Sequence, residues 1–127
     1  MKPVQNMPKI KMGVVGVSRD CFPIELARTR LKKVVAECRK LKLNVVECKT
    51  VVESDKDAVA AVAEMRREGV NACTFYLVNF GPEGPLTILA QKMDVPFMLV
   101  GAAEESKATL IEGRGDAYCG MLNACLN

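Results

Sequence analysis

Two periodicities take turns along the chain. Ile10 to Val17 is an almost continuous apolar run of strand length, closed by Ser18-Arg19-Asp20. From about Pro23 to Leu41 the spacing becomes helical. Ile24, Ala27, Leu31, Val34 or Val35, Cys38 and Leu41 recur three or four apart and make one apolar stripe. The opposite face collects Arg28, Arg30, Lys32, Lys33, Arg39 and Lys40, interleaved with Glu25 and Glu37. Such a mixture reads as a solvated surface. Asn44 to Lys49 predicts a second strand, and Ser54 with Asp57 predicts a capped helix start, aspartate standing in for the usual Glu or Gln. That helix runs through Ala58, Val59, Val62 and Met65 and stops at Gly69, a residue free to turn left-handed. Ala72 to Val78 predicts a third strand, the turn Asn79 to Gly84 leads into a helix from about Pro85 to Met93, and Val95 to Val100 predicts a fourth strand.

Apolar strands separated by amphipathic helices imply a parallel sheet covered on both faces. The expected architecture is a flavodoxin-like, doubly wound α/β/α sandwich with strand order 2-1-3-4. After Gly101 the pattern weakens into an irregular connection, with a short strand expected at Thr109 to Ile111. Residues 1–8, with prolines at positions 3 and 8, read as a disordered lead-in, and 9–119 as the domain itself. Residues 120–127 read as the start of an apolar helix lacking a C-terminal stop signal. That suggests a fragment of a longer polypeptide whose next domain follows.

Composition narrows the function without naming it. A chain of 127 residues, half of them apolar, suffices for one packed core. A net charge of +3, from 18 basic and 15 acidic residues, is too small to imply nucleic acid. No run of roughly 18 apolar residues suggests a membrane span, and the N-terminus lacks a signal core. A cytoplasmic protein without membrane contact is the expectation. The six cysteines include no Cys-x-x-Cys pair, and histidine is absent. Zinc sites of the usual spacing are therefore disfavoured, and free thiols are expected.

In an open parallel sheet, ligands bind beyond the carboxyl ends of the strands, where the strand order reverses. Here that selects Ser18, Arg19, Asp20 and Cys21 after the first strand, and Asn79, Phe80, Gly81 and Glu83 after the third. The loop Ala102 to Glu105 lies on the same edge. Arg19 supplies forked donors, Asp20 and Glu83 supply acceptors, and Phe80 supplies a flat apolar face. The combination suits a polyhydroxylated ligand. The plainer alternatives are that Asp20 caps the first helix, Arg19 is solvated and Phe80 wedges the turn. Gly13 and Gly16 do not form a dinucleotide fingerprint, and no phosphate-loop lysine occurs. Cys21 at a helix start lacks a partner base and neighbours Asp20, so a nucleophilic role is not expected.

Three segments together resemble the N-terminal domain of the L-fucose isomerase/L-arabinose isomerase family. They are Lys9 to Ser18 with the helix that follows, Thr74 to Gly84, and Glu112-Gly-Arg-Gly-Asp-Ala-Tyr-Cys-Gly-Met121. The resemblance implies aldose–ketose interconversion through an enediol, with a divalent metal, usually manganese, polarising the sugar oxygens. It also implies that the metal ligands, including histidine, lie in later domains, so that this chain is inactive alone. The N-terminal domain would help build a homo-oligomer and lend Ser18, Arg19, Asp20, Asn79, Phe80 and Glu83 to a sugar pocket shared with other domains or a neighbouring subunit. The family often places a large aromatic near the third-strand loop; Phe80 is its loose counterpart, and this chain has no tryptophan.

The alternative is a self-sufficient flavodoxin-like module that binds a small molecule or a partner without catalysis. Packing of Met121, Leu122 and Leu126 into the domain's own groove would favour it. A redox or thiol enzyme stands third.

Overall fold

The first apolar run forms β1 (Met12–Val17), which lies inside a four-stranded sheet with β2 (Val45–Glu47), β3 (Ala72–Leu77) and β4 (Phe97–Gly101). The strand order is β2-β1-β3-β4, and every pair is parallel. This computed structural model describes residues 6–105 and 114–126. The strand expected at Thr109 to Ile111 lies outside the described residues, as do residues 1–5 of the expected lead-in. Register pairs Met12 with Ala72 and Val17 with Leu77, so the tips of β1 and β3 end level.

Four helices are described: α1 (Ile24–Lys40), α2 (Asp55–Arg67), α3 (Glu83–Met93) and α4 (Ala117–Ala124). Side chains alternate across the pleat, and two cores follow. Val15, Val17, Phe75 and Leu77 meet Ala61 and Met65 of α2, Leu86 and Leu89 of α3, and Ala117 of α4. Val14 and Val78 meet Ala27, Leu31 and Val35 of α1 on the other face. The sheet is thus the middle layer of an α/β/α sandwich, with α1 the one helix on its side among the described residues. Among the described residues, no helix is long and apolar enough to cross a membrane.

Local chemistry explains the element ends. The Ser54 hydroxyl accepts from the Asp57 N–H at 3.3 Å, and the Asp57 carboxylate accepts from the Ser54 N–H at 3.0 Å, closing the expected capping box. Gly69 follows α2 with φ +68°, which suits a residue without Cβ. Helix α3 starts at Glu83 rather than Pro85, because a proline within the first turn forfeits no intrahelical bond. Strand β1 starts at Met12 rather than Ile10, and β4 spans Phe97–Gly101 rather than 95–100. The last helix begins at Ala117, three residues before the expected start. Its Met121 packs against the core, whereas Leu122 and Leu126 are exposed.

Candidate functional site

The loops after β1 and β3 leave the sheet in opposite directions, toward α1 on one face and α3 on the other. A crevice opens between neighbouring strands whose chains diverge in this way. Asn79, fully buried at the tip of β3, stitches it together. Its side-chain oxygen accepts from the Arg19 N–H at 2.8 Å and the Gly81 N–H at 3.2 Å. Its amide donates to the Ser18 hydroxyl at 2.8 Å, and that hydroxyl donates to Glu53 at 2.8 Å. Ser18 is also fully buried. Both residues direct their polar atoms into the protein and hold the rim in shape.

Above this layer lies the part a ligand can reach. The Arg19 guanidinium donates to the Gly81 carbonyl at 3.0 Å and to both carboxylate oxygens of Glu83 at 3.0 Å. Its central carbon lies 4.4 Å from the centroid of the Phe80 ring, within range of cation–π attraction. The side chains of Arg19 and Glu83 are each one-third exposed. Asn123 of α4 also donates to Glu83. Arg19, Phe80 and Glu83 therefore form one preorganised surface of donors, acceptors and an aromatic face. Asp20 is exposed beside it and does not cap α1. That helix has Pro23 in the cap position and no side-chain cap bond.

A second polar cluster adjoins the first, centred on a residue expected to be solvated. Arg30 is only 2 % exposed. The spacing held the signal, since position 30 lies three residues after Ala27 and four before Val34, on the apolar stripe. Its guanidinium donates to the Val78 carbonyl at 2.7 Å, to Glu104 at 2.7 Å, and to Glu105 at 3.0 and 2.8 Å. The hydrogen bond to Glu105 is the main reason the guanidinium is held even more firmly protonated than usual, against the opposing effect of burial. The same bond brings the Glu105 carboxyl down to about 2. For Glu104, burial pushes upward most strongly. The Gly115 N–H and Arg30 together outweigh it, and the net direction is down. Glu104 accepts from the Gly115 and Asp116 N–H groups at 2.7 and 3.1 Å, which ties the start of α4 to the β4 loop.

The six cysteines are free. Burial, with Glu64 alongside, pushes the Cys48 thiol up to about 12, and burial pushes Cys73 up to about 11. These two thiols are protonated and behave as small apolar groups. Among the described residues, no group of three His, Cys, Asp or Glu side chains is placed to hold a metal. The neighbouring carboxylates Glu104 and Glu105 are committed to Arg30. Among the described residues, the donor set does not fit the manganese that the resemblance implies.

Sequence reasoning located the β1 and β3 tips but missed Glu53, Arg30 and Asn123. It also missed why glycine stands at 115 and 120. A Cβ at Gly115 would lie 2.5 Å from an Arg30 nitrogen, and one at Gly120 would lie 1.7 Å from the Phe80 carbonyl oxygen. The stretch from Gly115 to Gly120 thus lies flush against the β3 tip.

No curated protein and no solved structure matches the chain. A family model does match, over residues 13–127, and its description is fucose/sulfoquinovose isomerase, N-terminal domain. The match takes in every strand and helix above save Met12 at the head of β1, including the glycine-containing stretch, and the chain belongs to that family.

Proposed function

We propose that this chain is the N-terminal domain of a metal-dependent aldose–ketose isomerase of the L-fucose/L-arabinose kind. In this reading it supplies oligomer contacts and one wall of a sugar pocket. The proton transfer and its manganese ion belong to polypeptide outside this chain. The observation that carries the reading is the Arg19–Phe80–Glu83 surface. Sugars present hydroxyls that both donate and accept, along with apolar C–H faces. A paired guanidinium and carboxylate flanking an aromatic ring complement both. Because Arg19 and Glu83 neutralise each other, the surface suits a neutral polyol better than a free anion.

The absence of histidine from the chain, and of a fitting carboxylate set among the described residues, supports placing the metal elsewhere. The chain acts here as a scaffold that orients part of the substrate. It supplies binding that the ground state and the transition state share, so that its loss is felt in KM rather than in kcat.

Two measurements on the 127-residue chain test this. Incubated with manganese and L-fucose, L-arabinose or sulfoquinovose, it should give no isomerisation. Titration with the neutral sugars L-fucose and L-arabinose should shift the amide resonances of Arg19 and Phe80 through Glu83 more than those of residues at the opposite sheet edge. Turnover by the chain alone, or shifts confined to the opposite edge, would overturn the proposal.

A further inference from the structure

The Arg19 guanidinium offers N–H groups on Nε, Nη1 and Nη2, and the rim uses them unevenly. Nε donates to the Gly81 carbonyl at 3.3 Å. Nη2 donates to the same carbonyl at 3.0 Å and to both Glu83 oxygens at 3.0 Å. Nη1 meets no acceptor among the described residues. No buried polar side-chain atom described lacks a hydrogen-bond partner. Nη1, which does lack one, therefore lies where solvent or a ligand reaches it.

Which nitrogen is occupied decides what Arg19 can hold. A guanidinium grips a sulfonate, phosphate or carboxylate through two parallel N–H···O bonds along one edge of its plane. One such edge joins Nε to Nη2, and the other joins Nη1 to Nη2. Nη2 belongs to both, so Glu83 and the Gly81 carbonyl close both edges to an incoming anion. What remains is a single nitrogen, which suits the lone oxygen of a hydroxyl. Both blockers are held in place. The Gly81 N–H donates to the Asn79 side chain at 3.2 Å, and Asn123 of α4 donates to the Glu83 carboxylate alongside Arg19. Charge acts in the same direction. The Arg19–Glu83 pair is neutral, and two further acidic side chains, Asp20 exposed beside the rim and Glu53 bonded to Ser18, oppose an anion arriving at Nη1.

We infer that Glu83 is a specificity-determining residue. By occupying Nη2 it turns Arg19 from an anion clamp into a single-nitrogen donor for a sugar hydroxyl. The rim then admits neutral polyols and turns away sugars that carry a sulfonate, phosphate or carboxylate. The identity of the admitted ligand rests on the sugar-wall reading above, whereas the exclusion of anions rests on the Arg19 geometry alone.

The test titrates the 127-residue chain with L-fucose and with sodium methanesulfonate at constant ionic strength. NMR follows the Arg19 Nε–H and the backbone amides of Arg19, Phe80 and Gly81. The parent should respond saturably to L-fucose and without saturation to the sulfonate. Glu83→Ala opens both edges, and should bind methanesulfonate at least about tenfold more tightly than the limit set by the parent. Glu83→Gln removes the charge but keeps one acceptor oxygen, and should fall between the two. The double variant Arg19→Gln/Glu83→Ala should lose the gain. A Glu83→Ala protein that binds the sulfonate no better than the parent would overturn the inference, as would a gain that persists without Arg19. If Glu83→Ala fails to fold, a Glu83→Gln protein with no gain overturns it just the same. A parent blind to L-fucose, with the sulfonate gain intact in Glu83→Ala, would refute the sugar reading and leave the filter standing. A parent that binds both ligands equally would refute the filter and leave the sugar reading standing.

Discussion

Gly120 and Phe80 touch so closely that a Cβ at position 120 would lie 1.7 Å from the Phe80 carbonyl oxygen and 2.4 Å from its carbonyl carbon. Backbone, not a movable side chain, fills that space. The position of α4 and the shape of the β3 tip are thus set by one contact. Replacing Gly120 with alanine should push α4 off the rim and destabilise the fold by about 3 kcal/mol, the upper range for overpacking. Gly69→Ala, where no atom lies within 4 Å and only φ is at stake, should cost about 1 kcal/mol. Urea midpoints of the two variants check the ranking. A Gly120→Ala protein as stable as the parent would contradict the packing described.

Arg30 presents a separate case, because its loss strands a carbonyl and two carboxylates at once. Arg30→Met should destabilise by about 2–3 kcal/mol, less than a fully buried pair because Glu105 is partly exposed. Arg30→Lys should recover only part of this, since an ammonium cannot match the forked geometry. Unfolding curves test both. If methionine proved neutral, the cluster would be dispensable to the fold.

Acid should weaken the domain through the same cluster. Glu105 titrates near about 2 because of its bond to Arg30, well under the ordinary 4.5. A carboxyl lowered in the folded state stabilises the fold above its unfolded value, and that contribution is lost as pH falls toward the folded value. The loss should therefore fall between about pH 4.5 and about pH 2. Glu104 and Glu64 are shifted in the same direction. At Glu64, burial acts upward but is outweighed by the N–H groups of Lys49 and Thr50, the Cys48 thiol and the Thr50 hydroxyl. Stability measured across this window should decline less steeply in Glu105→Gln than in the parent. Identical slopes would remove Glu105 from the account.

The parts of this fold that were legible in the sequence are those written in long apolar runs. The strand at Val14–Val17 is buried on both sides, and β3 buries Cys73, Phe75 and Leu77 on one, so their composition betrays them and their order follows from the crossover rules. The rim was legible for the same reason, since Ser18 and Asn79 follow directly on those strands. Arg30 was misread because its charge outweighed its place on the apolar stripe. The start of α4 was misplaced because Asp116 enters it at φ +52° without a side-chain cap, leaving no capping signal to read. Glu53 and Asn123 join the rim only through tertiary contacts, which no local spacing encodes.

The most direct test of the central claim, a sugar-facing rim without metal chemistry of its own, is steady-state kinetics of the proposed longer isomerase carrying Arg19→Gln or Phe80→Ala. The account predicts that KM rises about tenfold, equivalent to about 1.4 kcal/mol of lost binding. It predicts that kcat changes by less than about threefold, the signature of uniform binding rather than transition-state stabilisation. An unchanged KM in both variants would contradict it, as would a collapse of kcat with KM intact.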